Sequence, residues 1–157
     1  LAWKLRSDER VVNMERTNVR YLEADSLGEL VDAVTIDVAF ISLDKVLSAI
    51  YKILKPEGFV VALIKPQFEA GKENVGKKGV VRDAKVHEDV IKNVISFAKG
   101  EGFGIAGLDF SPIKGPEGNI EYLLHLTKGD DDAVSEAYVD ELVSRSHGDL
   151  DKKPTAE

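Results

Sequence analysis

Phe59-Val60-Val61-Ala62-Leu63-Ile64 is an unbroken run of six apolar residues that stops at Lys65-Pro66. A run of this length, β-branched at Val60, Val61 and Ile64, reads as a strand buried on both faces, the habit of parallel sheets. Pro66 has no N–H to give to a ladder, so it ends the strand. Lys65 is thereby set at the carboxyl end of a central strand, the edge where open α/β sheets bind ligands.

The rest of the chain supplies partners for that strand. Leu1–Arg6 reads as the end of a helix and Arg10–Met14 as a short strand, followed by the polar turn Glu15–Asn18. Ala33–Phe40 is a second strand with Asp37 near its carboxyl end. Leu43, Val46, Leu47, Ile50 and Leu54 recur at helical spacing. Lys55–Gly58 reads as a turn into the opening strand. A Gly- and Lys-rich loop over about Gln67–Arg82 follows, then a helix from Asp83 with Val86, Val90, Ile91, Val94, Ile95 and Ala98 on one face. Ile105–Phe110 and Ile120–Thr127 are strands joined by a short loop, hence antiparallel neighbours. An acidic linker from Gly129 leads to a helix over Val134–Ser144 and a polar tail. The order predicts one α/β domain over residues 1–128, with the acidic linker, helix and tail over 129–157.

Composition narrows the function. The absence of cysteine excludes disulfides and thiolate metal sites and fits a reducing cytoplasm. No run approaches a membrane span, so stable membrane association is not expected. A net charge of −7 opposes nucleic-acid binding by bulk charge alone. The cations are local instead, with Lys72, Lys77, Lys78 and Arg82 in the long loop and Lys114 in the later one. That basic loop is either a surface that meets phosphates or a solvated lid. His87, His125 and His147 are widely spaced on different elements and show no metal-binding spacing.

Lys65, Asp37 and Glu121 lie on three strands and can converge at one sheet edge. A lysine in water holds its proton at neutral pH. Flanking carboxylates orient the amine, and burial or a second cation makes it a better base. The plain alternative is a lysine snorkelling to water beside a surface carboxylate. Asp37 alone also suits a helix cap, and Glu121 is either on a solvated face or a buried functional acid.

Four segments in order resemble the TlyA family, also called hemolysin A and related to the FtsJ-like RNA ribose methyltransferases. They are Ile36–Leu43, Leu63–Gly71, Gly79–Asp83 and Ser111–Tyr122. Trp3–Arg6 and Glu15–Asn18 match as well, so the resemblance covers about Leu1 to Lys128. It implies a Rossmann-like class I methyltransferase sheet, mostly parallel with an antiparallel last strand. It also implies S-adenosylmethionine as cofactor and ribose 2′-hydroxyls of ribosomal RNA, in free rRNA or ribosomal subunits, as substrate. By motif, Asp37, Lys65 and Glu121 take three places of a Lys-Asp-Lys-Glu tetrad, with Lys65 acting on the hydroxyl and the acids orienting it. The remaining cofactor contacts would be Arg16, Thr17 and Asn18 and the segment with Asp37, Val38 and Phe40.

The family's S4 RNA-binding domain, first tetrad lysine and glycine-rich cofactor loop would all lie upstream of Leu1. The family sheet order three-two-one-four-five-seven-six would then lack its first two strands. Arg10–Met14 would stand roughly 14 Å from the next strand with nothing between. The expectation is that this chain alone is inactive, which tight S-adenosylmethionine binding would contradict. A membrane-active hemolysin and a catalytically dead RNA-binding module are the alternative functions. The first is opposed by the lack of an apolar span or basic amphipathic helix.

Overall fold

A computed structural model describes residues 1–151. The expected polar tail lies, from Lys152 onward, outside the described residues. In chain order the elements are α1 (Trp3–Arg6), α2 (Ala24–Leu27), β1 (Val31–Ile36), α3 (Leu47–Ile53), β2 (Leu54–Ile64) and α4 (Pro66–Glu69). They continue with α5 (Ala84–Gly100), β3 (Gly104–Phe110), β4 (Tyr122–Thr127) and α6 (Glu136–Leu150). Short 3-10 turns stand at Val19–Tyr21, Leu43–Lys45, Lys72–Asn74, Lys77–Gly79 and Pro116–Gly118.

The strands form one sheet in the order β1-β2-β4-β3. β1 runs parallel to β2, and β4 is antiparallel to both β2 and β3. This is the four-five-seven-six half of the expected sheet, with the last strand inserted between its two parallel neighbours. Arg10–Met14 is not a strand. No described strand pairs with it, and five residues with no ladder cannot hold β structure alone. No residue before Ile36 is fully buried, although Val19, Leu22 and Leu27 pack half-buried against the core.

β2 starts earlier than expected, because the anticipated turn Lys55–Gly58 is a bulge within it. Val31 pairs with Leu54 and Ala33 with Phe59, so Lys55–Gly58 loops out between the two pairs. Gly58 permits this, since a Cβ there would sit 2.6 Å from Leu54 Cδ1 and 2.8 Å from the Asp32 carbonyl oxygen. Lys55 bridges the bulge to Asp32 at 2.8 Å.

The opening run is buried on one face rather than two. Val60, Ala62 and Ile64 have no exposure and share a core with Ile36, Leu124 and Leu126. α3, α5 and α6 add Ile50, Ile91 and Leu142 to that same core. The alternate residues fare differently: Phe59 is 43% exposed, Val61 and Leu63 are half-buried, and His125 on β4 is exposed. An apolar run satisfies the period-two demand of one covered face and does not reveal whether a second layer covers the other.

α5 follows the predicted apolar face, and Asp83 caps it by accepting from the Lys85 N–H at 2.8 Å. α6 runs from Glu136 to Leu150 rather than over Val134–Ser144, because Ser135 caps it by accepting from the Tyr138 N–H. Val139, Leu142 and Val143 enter the common core. The acidic linker before α6 is ordered against β3, where the Ile105 N–H donates to the Asp131 carbonyl and the Ala133 N–H to the Ile105 carbonyl. Among the described residues no helix is long and apolar enough to cross a membrane.

Candidate active site

β1 and β2 end side by side, and their carboxyl ends place Asp37 and Lys65 together. The Lys65 amine forms an ion pair with Asp37. The Lys65 side chain is only 13% exposed, whereas that of Asp37 is 70% exposed, so the pair opens to solvent from the carboxylate side. Pro66 starts α4 directly after Lys65, with its fixed φ suited to a first helical position. The short helix then brings Phe68 beneath the amine, 5.9 Å from ring centroid to Nζ.

Phe40 stands at the mouth of this edge. It is 91% exposed, and its ring packs against Phe68 at a centroid distance of 5.0 Å. Its φ of +62° is in the left-handed region that bulky residues avoid. An exposed aromatic held in a strained conformation is a feature of ligand-binding edges. Glu69 anchors the loop that carries it, accepting from Ser42 Oγ at 2.6 Å and the Leu43 N–H at 2.8 Å. Burial pushes the Glu69 carboxyl above its ordinary range, against the opposing effect of these two donors.

Glu121 is placed differently from its expected position. It precedes β4 rather than lying inside it, because the ladder closes at the Phe110–Tyr122 pair. It is 6% exposed and accepts from Gln67 Nε2 at 2.8 Å. Among the described residues it forms no ion pair with Lys65. It therefore holds the residue two places after Lys65 rather than the lysine itself. Gln67 Oε1 is buried and has no hydrogen-bond partner. Gly115 lies over Glu121, and a Cβ there would sit 2.5 Å from the carboxyl carbon.

The two expected cofactor segments come to the same end of the molecule. Arg16, Thr17 and Asn18 are exposed, with Arg16 at φ +55° and Asn18 capping the turn Val19–Tyr21 through the Arg20 N–H. Among the described residues they form no hydrogen bond or ion pair with Asp37. The residues just after them do share its surroundings: Val19, Leu22, Val34, Asp37, Val38 and Ile50 help line an apolar cavity of about 300 Å³.

The basic loop is less lid-like than its composition suggests. Lys72, Lys77 and Lys78 are exposed, with Lys78 at φ +62°, but the loop ends in buried Val80 and Val81. Asn119, 2% exposed, binds that end to the β3–β4 loop. Its Oδ1 accepts from the Val81 N–H at 3.0 Å, and its Nδ2 donates to the carbonyls of Gly79 and Pro116, each at 3.0 Å. Arg82 is exposed and makes no ion pair among the described residues. Lys114, by contrast, is bonded to Asp151 at 2.7 Å. Asn119 escaped the sequence reading because an asparagine in a Pro/Gly loop looks like a turn residue. His87 and His147, read as unrelated, touch at 2.8 Å.

The family profile for FtsJ-like methyltransferases matches residues 1–128. YqxC of Bacillus subtilis, a candidate rRNA methyltransferase by name, is 59% identical over 127 residues, covering 80% of this chain and 45% of that protein. The 16S/23S rRNA (cytidine-2′-O)-methyltransferase TlyA of Mycobacterium tuberculosis is 42% identical over 146 residues, covering 93% of this chain and 54% of that protein. A solved structure of a hemolysin candidate from Streptococcus thermophilus superposes with a TM-score of 0.90 at 47% identity, covering 96% of this chain and 55% of the other. The chain thus spans about half the length of the curated relatives it matches. On the extent of the profile match, with the paired lysine and aspartate in place, this chain belongs to the FtsJ-like methyltransferase family.

Proposed function

We propose that this protein transfers a methyl group from S-adenosylmethionine to a ribose 2′-hydroxyl of ribosomal RNA. The observation that carries this reading is the shielded Lys65 amine, paired with Asp37 where β1 and β2 end, in a chain similar to cytidine-2′-O-methyltransferases. S-adenosylmethionine, when bound, supplies the electrophilic methyl. The apolar cavity beside Asp37 and Val38 and the exposed ring of Phe40 fit the aromatic part of such a cofactor, with Arg16, Thr17 and Asn18 bordering it.

Asp37 accepts one Lys65 N–H, which leaves the far side of the nitrogen for the ribose hydroxyl. With its own extra proton already lost to water, Lys65 would hold that oxygen in line and take its proton, while the cofactor would give up its methyl and its sulfur would keep the bonding pair. Glu121 acts at one remove, as a positioning residue that fixes Gln67 and with it the start of α4. Lys72, Lys77, Lys78 and Arg82 meet RNA phosphates, an arrangement that compensates locally for the net negative charge. Lys114 joins them only by exchanging its Asp151 partner.

The test is transfer of labelled methyl to ribosomal RNA by the full-length protein, mapped to the modified position. Lys65→Ala lowers the rate by roughly 10²- to 10⁴-fold, the range for a positioned proton acceptor, while the melting curve stays in place. Methylation on a base atom, or an unimpaired Lys65→Ala, would falsify the reading.

A further inference from the structure

Two segments leave the sheet side by side, one after β1 through Asp37 and the other after β2 through Lys65. Parallel strands usually part at their ends, since each continues into its own crossover. These two stay tied for a further turn. Lys65 pairs with Asp37, Phe68 packs on Phe40, and Glu69 accepts from both Ser42 Oγ and the Leu43 N–H. The contacts keep step along both segments, so Glu69 closes a ladder that the Lys65–Asp37 pair opens.

The closing rung is made of oriented bonds. The Leu43 N–H can only donate, so Glu69 Oε1 accepts, at 2.8 Å. Ser42 stands at the cap position of the turn Leu43–Lys45, yet its side chain makes no capping bond and reaches Glu69 Oε2 instead, at 2.6 Å. Leu43 is 1% exposed, so its N–H has no water to turn to, and Glu69 is the group that satisfies it.

The segment tied in this way is one that needs a tie. Phe40 is at φ +62°, a conformation that persists only where its surroundings fix it. Among the described residues the Asp37 carboxylate has one polar partner, Lys65, and is otherwise open to solvent. The place of Asp37 therefore follows that of its segment, whose far end is held by Glu69. We infer that Glu69 is a positioning residue for methyl transfer: its two accepted hydrogen bonds fix the Asp37–Leu43 segment to α4, and with it the spacing between Lys65 and the groups that face it. This rests on the functional reading above. The role belongs to reach and bonding rather than to charge. Aspartate keeps the charge but is one methylene short of Ser42 and Leu43. Glutamine loses the charge but keeps both bonds, with Oε1 accepting from the Leu43 N–H and Nε2 donating to Ser42 Oγ.

The test is single-turnover transfer of labelled methyl to rRNA by the full-length protein, at saturating S-adenosylmethionine and rRNA, well below the melting temperature of each variant. Glu69→Ala and Glu69→Asp slow transfer by about 10- to 100-fold, the scale of an ångström of misplacement. Glu69→Gln stays near the wild-type rate. The second readout is the Lys65→Ala background. A residue that acts through Lys65 has little left to lose there, so Glu69→Ala slows the Lys65→Ala protein far less than it slows the wild type. A role confined to folding would lower the active fraction equally in both backgrounds. Equal losses in the two backgrounds therefore overturn the inference. So does a wild-type rate in Glu69→Ala or Glu69→Asp, or a Glu69→Gln protein as slow as Glu69→Ala. If Glu69→Ala does not fold, Glu69→Asp takes its place in both backgrounds. A wild type that transfers no methyl to rRNA overturns the functional reading first, and this inference with it.

Discussion

Asp37 and Glu121 are both carboxylates beside strand ends, and they are built into opposite surroundings. The Asp37 side chain is 70% exposed and its partner is the Lys65 amine. Glu121 is 6% exposed, lies under Gly115 and grips a neutral amide. The contrast extends to their regions. At the β1–β2 edge, Lys65, Asp37 and Phe40 retain unused donors, acceptors and ring faces. In the interlock around Asn119 and His87 nearly every polar atom is engaged. An edge with spare bonding capacity can meet solutes, and an interlock without it holds the loops that frame that edge. Substitutions at the edge should therefore alter chemistry without destabilising the fold, and substitutions in the interlock should lower stability first.

The sharpest break of that contrast is Asn119→Ala. It strands the buried Val81 N–H and removes two further bonds, so we expect a loss of about 3 kcal/mol in urea unfolding. A loss under about 0.5 kcal/mol would show that the two loops do not depend on each other. Acid probes the same interlock. The folded pKa of His87, about 4, lies below its ordinary 6.5. The folded state thus binds fewer protons than the unfolded one between these values, and stability falls as pH falls through that window. The loss attributable to His87 approaches about 3 kcal/mol at the acid end. His87→Gln should flatten this part of the stability–pH curve relative to wild type.

Gly115→Ala is a milder test, because its Cβ would meet the Glu121 carboxyl at 2.5 Å. We expect a cost of about 2 kcal/mol with the carboxyl displaced from Gln67, read as a lower melting temperature together with slower methyl transfer. The smallest effect belongs to the open edge. Phe40→Gly removes a bulky residue from φ +62°, which should stabilise the fold by about 1 kcal/mol while weakening S-adenosylmethionine binding to the full-length protein in calorimetry. Weakened stability with unchanged cofactor affinity would assign Phe40 to packing instead.

Much of the edge was legible in the residues. Pro66 after an apolar run marks a strand end, and Asp37 follows a second such run, so their meeting needs only two parallel strands in one sheet. The pattern starts the last strand at Ile120, two residues before β4 begins, and so puts Glu121 inside it, since no local signal says where an antiparallel ladder stops pairing. The interlock was not legible. Asn119 reads as a turn asparagine, and His87 and His147 as isolated histidines, because nothing in their immediate neighbours carries the distant partner. The uncovered face of β2 escaped for a related reason: Val61 and Leu63 are as apolar as Val60 and Ala62, and only the positions of the helices distinguish them.

By itself, then, the sequence determined the elements with strong local periodicity, the parallel run of β1 and β2, and the lysine at their edge. Strand period, proline and helix caps act over a few residues, so they can be read without the fold. The tertiary structure alone decided that Glu121 serves Gln67, that Asn119 joins two loops, and that His147 on α6 meets His87, which bonds the Val81 carbonyl. Those contacts join residues far apart in the chain, and they exist only where packing of α5 and α6 on the sheet brings them within hydrogen-bond reach.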